Sequence, residues 1–142
     1  MSASSTDIIN SDLAAEPVGA YPHARRVGNL LFLSGIGPRE RGSKDIPGVT
    51  LAPDGSIERY DVAVQTLSVF RNIRHVLDAA GAKWENIVDV QVFLTNMKDD
   101  FKIVNALYAE HFTHVQATRT TLEVNCLPTP IAVELKVIAT VD

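Results

Sequence analysis

Two charged residues near the C-terminal end of the sequence have the types and the spacing for chemistry on a small carboxylic acid. Arg119 and Glu134 lie in two segments, 118–124 and 131–141, whose alternating side chains predict strands. If these strands form one hairpin, the two charges are direct cross-strand neighbours. A guanidinium binds a carboxylate through paired hydrogen bonds, and a glutamate holds a water for attack on the adjacent carbon. The pair therefore predicts hydration of a small carboxylic acid, and a simple cross-strand salt bridge is the alternative.

Other residues with reactive side chains have simpler interpretations. His111 and His114 are three residues apart without a third ligand, so we interpret them as a surface pair rather than a metal site. Cys126 has no histidine partner and is interpreted as an inert thiol. The glycines within 35–37 lack the lysine of a phosphate-binding loop, so they favour close backbone approach to a ligand over nucleotide binding. No metal and no cofactor are predicted.

The elements that position Arg119 and Glu134 follow from hydrophobic periodicity and turn residues. Besides the two strands named above, we predict a hairpin over 26–34, a helix over 60–80, a strand over 87–94 and a helix over 101–112. Asp99 or Asp100 is the expected cap of the second helix. The order β-β-α-β-α-β-β predicts an α+β fold in which both helices cover one face of a mixed sheet.

Two features of this arrangement bear on function. A polar loop over 38–58 is long for a compact domain, and its Arg39 and Arg41 are interpreted as solvated charges or as contacts to a second anionic group. The chain has no element left to cover the second face of the sheet. The sequence therefore predicts an oligomer that buries this face.

The composition is typical of a single globular domain over 1–142 that begins with a polar lead over 1–16. Its 142 residues are 46% apolar and 21% charged, which suits one hydrophobic core. The 13 basic and 17 acidic residues give a formal charge of −4 without a dense basic cluster, so nucleic acid is not expected as a partner. The apolar stretches are too short for a bilayer, and 1–10 lacks the features of a secretory signal. We expect a cytoplasmic protein without a membrane partner, and its single cysteine agrees with a reducing compartment.

The C-terminal segment resembles the signature of the reactive-intermediate deaminase (RidA/YjgF) family. The resemblance rests on the run Arg119-Thr120-Thr121-Leu122-Glu123-Val124-Asn125-Cys126-Leu127-Pro128 and on Val133-Glu134-Leu135. Three earlier segments agree with it: Gly19-Ala20-Tyr21, Leu33-Ser34-Gly35 and Val104-Asn105-Ala106-Leu107-Tyr108.

This resemblance implies a fold and a set of residue roles. The implied fold is chorismate-mutase-like (bacillus type), assembled as a homotrimer with a central barrel and with ligand sites between subunits. By resemblance, Arg119 grips the carboxylate of a small-molecule substrate and Glu134 positions the hydrolytic water. Tyr21, Ser34, Gly35 and Asn105 match positions that line the same cleft, and no cofactor is implied.

The departures from the family pattern narrow the expected substrate. Thr121 stands in the cleft where many members have cysteine, and the segment that follows Pro38 is longer than in general imine-hydrolysing members. These features look like the 2-aminomuconate deaminase branch, which releases ammonia and 4-oxalocrotonate (2-oxohex-3-enedioate) in aromatic-compound catabolism. Arg39 and Arg41 would bind the second carboxylate of that substrate. The alternatives are a general 2-iminoacid deaminase and a non-catalytic trimer that binds small carboxylates or partner proteins.

Overall fold

Helix α1 (Val62–Ala80) begins and ends where the sequence places its caps. The Asp61 carboxylate accepts hydrogen bonds from the backbone N–H groups of Ala63 and Val64 at 3.0 and 3.2 Å in the computed structural model, which describes residues 7–142. Gly81 ends the helix in the left-handed region at φ 75°, which favours glycine. The predicted first helix is therefore confirmed to within two residues at its start.

Helix α2 (Met97–Phe112) begins four residues earlier than predicted. Asn96 is the capping residue, because its side-chain oxygen accepts the N–H of Asp99 at 3.0 Å. The prediction that Asp99 or Asp100 caps this helix is wrong. Both acidic residues lie instead in its first turn, where the helix dipole stabilises negative charge.

The main sheet has six strands in the order β1-β2-β3-β8-β6-β7. Their bounds are β1 Ile8–Ile9, β2 Ala24–Val27, β3 Leu30–Leu33, β6 Ile87–Leu94, β7 Thr118–Glu123 and β8 Val133–Thr140. Strand β6 lies between β8 and the edge strand β7, and is parallel to β7 and antiparallel to β8. The predicted α+β architecture and the order of its main elements are confirmed.

The predicted hairpin between the last two strands is wrong. Helix α2 carries the chain from β6 to β7, and a strand–helix–strand crossover makes those two strands parallel neighbours. The chain then passes the end of β6, where the Val124 N–H bonds the Leu94 carbonyl at 2.8 Å, and enters β8 on the other side. Strands β7 and β8 are consecutive in sequence, and β6 separates them in the sheet.

Both helices pack on one face of this sheet, as predicted. Side chains of β6 and β8 on that face are fully buried, among them Val90, Val92, Leu135 and Val137. On the opposite face Phe93 and Ile138 are only half-buried, and no other element of residues 7–142 covers them.

The segment predicted as a loop over 38–58 contains regular structure. Strands β4 (Val49–Leu51) and β5 (Ile57–Tyr60) pair there as a separate two-stranded sheet. Within the predicted polar lead, residues 1–6 lie outside the described residues, and β1 pairs with β2. A search of the helices in the described part of the chain finds none with the length and hydropathy needed to cross a membrane.

Candidate functional site

Arg119 lies on β7, and its side chain contacts α2. Its register opposite Val90 directs the side chain to the helix-covered side of the sheet, where Nη1 donates a 2.9 Å hydrogen bond to Oδ1 of Asn105. The guanidinium carbon lies 4.6 Å from the ring centre of Tyr108 and 5.9 Å from that of Phe101. We name Phe101, Asn105, Tyr108 and Arg119 the arginine cluster.

Helix geometry explains why α2 holds three members of this cluster. Phe101, Asn105 and Tyr108 are spaced four and three residues apart, which places them in one row along the helix. Thr121 lies on the same side of β7 as Arg119, opposite Val92. Within residues 7–142 the Arg119 guanidinium makes no hydrogen bond other than that to Asn105. Its remaining donors are therefore available for an anion.

Glu134 lies on β8, on the sheet face that the helices leave open. It stands opposite Phe93, is half-buried, and has neither a hydrogen bond nor an ion pair within the described part of the chain. Burial raises the pKa of its carboxyl group above the ordinary value. A carboxyl group with a raised pKa is suited to accept and return a proton near neutral pH.

Ser34 and Gly35 lie beside this carboxylate at a break in the sheet. The pairing of β3 with β8 shifts by one residue between Phe32 and Ile36, as in a β-bulge. At Gly35, an added Cβ would lie only 2.7 Å from Oε2 of Glu134, so only glycine leaves that oxygen in place. The Ser34 hydroxyl donates to the Pro22 carbonyl at 2.7 Å, which ties this bulge to the segment after Tyr21.

A small cavity beside the bulge brings several predicted site residues together. Tyr21, Ser34, Gly35 and Arg39 all line it, and Tyr21 is 41% exposed. The Tyr21 hydroxyl accepts the Val18 N–H at 3.3 Å. Glu134 does not line this cavity itself and adjoins it at Gly35. We name Tyr21, Ser34, Gly35 and Glu134 the glutamate cluster.

The two loop arginines differ in position. Arg39 lines the cavity of the glutamate cluster, and its guanidinium donates to the Glu16 carbonyl. Arg41 donates to the carbonyls of Ala14 and Ser11 at 2.8 and 2.9 Å and does not line that cavity. Arg41 therefore fixes the N-terminal segment, and Arg39 is the loop arginine nearer to the predicted site.

The two charged residues expected to form a pair lie on opposite faces of the sheet. Arg119 stands opposite Val90 and Glu134 opposite Phe93, and these β6 residues point to opposite faces because they are three apart. Two strand spacings and three residues of offset separate their Cα atoms by about 14 Å. The direct neighbour relation predicted from the hairpin is wrong, and the two candidate residues lie apart within one chain.

Sequence analysis missed part of the arginine cluster. It did not name Phe101 or Tyr108 as site residues, yet both rings lie near Arg119. Their spacing from Asn105 was the available signal. The two histidines interpreted as a surface pair have different partners, because His111 contacts the Leu107 carbonyl and His114 lies 3.7 Å from Glu85.

Comparisons with known proteins agree with this fold. The sequence model of the family described as Endoribonuclease L-PSP matches residues 12–141. The 2-iminobutanoate/2-iminopropanoate deaminase of Dermatophagoides farinae is 31% identical over 95% of this chain and 96% of its own length. Reactive Intermediate Deaminase A, chloroplastic, of Arabidopsis thaliana is 32% identical over 99% of this chain and 70% of its own length. The crystal structure of E. coli TdcF with bound serine is 28% identical, has a TM-score of 0.79, and the match covers 95% of this chain and 98% of that one.

Proposed function

The chain belongs to the Endoribonuclease L-PSP family, that of the reactive-intermediate deaminases (RidA/YjgF), and we propose that it hydrolyses 2-imino acids and their enamine tautomers to 2-oxo acids and ammonia. The observation that carries the proposal is the pair of unsatisfied charged groups. Arg119 has free donors on a fixed guanidinium, and Glu134 is half-buried without a partner in residues 7–142. A cation and a base held in this way suit a substrate with a carboxylate next to an electrophilic carbon.

The proposed reaction uses one water and no cofactor. Arg119 binds the carboxylate, and an enamine substrate first tautomerises to the imine. Glu134 accepts a proton from the water that attacks the imine carbon and passes it to the imine nitrogen, which gives a neutral carbinolamine. Glu134 then moves the proton of the new hydroxyl group to the same nitrogen. As the C–N bond breaks, the C=O bond forms, ammonia leaves and the 2-oxo acid remains. TdcF, with its bound serine, is a family precedent for a ligand whose carboxylate adjoins an amine-bearing carbon.

A single chain cannot complete this site, and we propose that neighbouring copies in a homotrimer do. The arginine cluster of one copy would face the glutamate cluster of the next, which also covers the open sheet face. Half-buried Phe93 and Ile138 on that face support such burial.

Mixing two inactive variants tests the shared site. Chains carrying Arg119→Ala and chains carrying Glu134→Gln are unfolded together, refolded at equal ratio and assayed with freshly generated 2-iminopropanoate. Random assembly into a ring leaves about one quarter of the sites with both native residues, so about a quarter of wild-type turnover is expected. If both residues of a site came from one chain, every site would be defective, and the mixture would remain inactive. Each variant refolded alone is the control.

The finer substrate proposed is 2-aminomuconate, a conjugated dicarboxylate. Both loop arginines donate hydrogen bonds to carbonyls of the N-terminal segment, but only Arg39 lines the cavity beside Gly35. This position of Arg39 supports a second anion contact. The named activities of the two deaminase relatives favour the general imine substrate instead.

Turnover rates on 2-aminomuconate and on 2-iminopropanoate decide which of the two is the substrate. Arg39→Gln is the test variant, and Arg41→Gln is the matched control. A dicarboxylate enzyme loses 2-aminomuconate turnover in the Arg39 variant and keeps 2-iminopropanoate turnover. Equal effects of Arg39→Gln on both substrates would contradict the proposed contact between Arg39 and a second carboxylate. Binding of carboxylates without turnover of either substrate would indicate a non-catalytic trimer.

A further inference from the structure

The Arg119 guanidinium lies over the ring of Tyr108, which belongs to an aromatic cluster that extends into the core. Tyr108 lies parallel to Phe112, with ring centres 4.1 Å apart and planes inclined by 6°. Phe112 in turn contacts Trp84 at 4.8 Å in a tilted arrangement and Phe70 at 5.5 Å edge-to-face. Because Phe112 and Trp84 are buried, this packing holds the Tyr108 ring in place.

The hydroxyl of Tyr108 does not explain why a tyrosine stands there. Its oxygen is shielded from solvent and has no hydrogen-bond partner in the part of the chain that the structure describes. Burial raises the pKa of this phenol, which therefore stays protonated and uncharged at neutral pH. An unpaired buried hydroxyl costs free energy. The ring face, 4.6 Å from the Arg119 guanidinium carbon, is the part of Tyr108 with a favourable contact to a functional residue.

Two different contacts set the position of the Arg119 guanidinium. Asn105 accepts at one edge, through the 2.9 Å bond to Nη1, and the Tyr108 ring supports one face. An arginine side chain has several freely rotating bonds, so an edge contact alone leaves its plane able to turn. A fork that must meet both oxygens of a carboxylate depends on that plane.

We propose that Tyr108 is a positioning residue whose ring holds the Arg119 guanidinium in the plane that receives the substrate carboxylate. This role rests on the proposed deaminase function. Its ring, and not its hydroxyl, is responsible. The matched pair of variants is therefore Tyr108→Phe, which keeps the ring, and Tyr108→Leu, which removes it.

Steady-state turnover of 2-iminopropanoate is the first test. Tyr108→Leu is expected to lower kcat/KM about 10-fold, equivalent to about 1.4 kcal/mol, which lies between the values of an exposed and a fully desolvated cation–π contact. Tyr108→Phe is expected to stay within about twofold of wild type by the same reasoning. An equal loss in both variants would assign the effect to the hydroxyl and overturn the proposal.

A nuclear magnetic resonance measurement separates positioning from loss of packing and from failure of the proposed function. The ring face should shift the Arg119 Nε–H proton upfield in wild type and in Tyr108→Phe, and this shift should disappear in Tyr108→Leu. The signal is assigned by its absence in Arg119→Lys. Loss of the shift with unchanged turnover would overturn the proposal. If wild type turns over no imine, the deaminase function fails, and affinity for pyruvate in the same three proteins then decides whether the ring positions Arg119 for a carboxylate.

Discussion

Substituting Gly35 by alanine should disable the Glu134 carboxylate without disturbing the fold. An added Cβ would lie 2.7 Å from Oε2 and 3.1 Å from Cδ of Glu134. Non-bonded heavy atoms rest at about 3.5 Å or more, so the carboxylate must move by about 0.8 Å. The atoms that it meets are the far end of a flexible side chain, and the backbone of Gly35 is outside the left-handed region. Glu134 therefore moves, and the sheet stays.

The size of the effect on catalysis follows from this displacement. Misplacement of a reacting group by about 1 Å costs on the order of 100-fold in rate. We expect Gly35→Ala to lower kcat for 2-iminopropanoate by about that factor, with a smaller change in KM because Arg119 is untouched. The midpoint of urea unfolding should change little.

A second glycine in the same segment supplies the matched control. At Gly37 an added Cβ would approach Cδ1 of Ile131 to 2.8 Å, a contact equally close but directed at an apolar methyl group. Gly37→Ala should therefore cost stability and leave kcat within a few-fold of wild type. If Gly35→Ala kept the kcat of wild type, the position of the Glu134 carboxylate beside Gly35 would not be the one used in catalysis. The assignment of Glu134 as the base would then fail.

Three further predictions concern charge and hydrogen bonding. Because burial raises the pKa of Glu134, its ionised form destabilises the folded state above the ordinary pKa of 4.5. Glu134→Gln should therefore raise the midpoint of urea unfolding at pH 7, and this gain should vanish below pH 4.5. The same variant should lose turnover. A gain that persists at acidic pH would contradict that reasoning. Tyr60→Phe removes the 2.7 Å bond that its hydroxyl donates to buried Asp100, and should lower the free energy of unfolding by about 1–3 kcal/mol; thermal unfolding without a shift would show that the bond contributes nothing. Arg119→Lys keeps the charge and loses the bond to Asn105, so kcat/KM should fall about 10- to 150-fold, and an unchanged value would argue against paired recognition of the carboxylate.

Local sequence patterns predict the helices and strands whose bounds depend only on their own residues. Strand β6 is predicted over 87–94 and found over Ile87–Leu94, because apolar residues recur at every second position along one of its faces. Helix α1 ends at Ala80 as predicted, and it begins two residues later than predicted because Asp61 is its cap rather than part of its first turn. The start of α2 was missed because its cap, Asn96, lies five residues before the first strongly apolar position, Phe101.

Pairing between strands was beyond local reasoning. The alternation in β7 and β8 is the same whether they form a hairpin or flank β6, and only the crossover through α2 decides. One wrong pairing reversed the predicted face of Arg119 relative to Glu134. The residue types of the site were thus predictable from sequence and resemblance, and their geometry was not.

The separation of the two clusters divides the expected effects of mutation between two parts of the fold. Arg119 depends on α2, through Asn105 and Tyr108, so changes along that helix row should act on carboxylate binding. Glu134 depends on the break after β3, where Gly35 shapes its surroundings, so changes there should act on the attack of water. No contact joins the two clusters within residues 7–142 of one chain, and in the proposed trimer the substrate lies between them. The effects of Tyr108→Leu and Gly35→Ala on kcat/KM should therefore multiply in the double variant. A double variant that departs from this product would indicate that the two clusters also contact each other directly across the proposed interface.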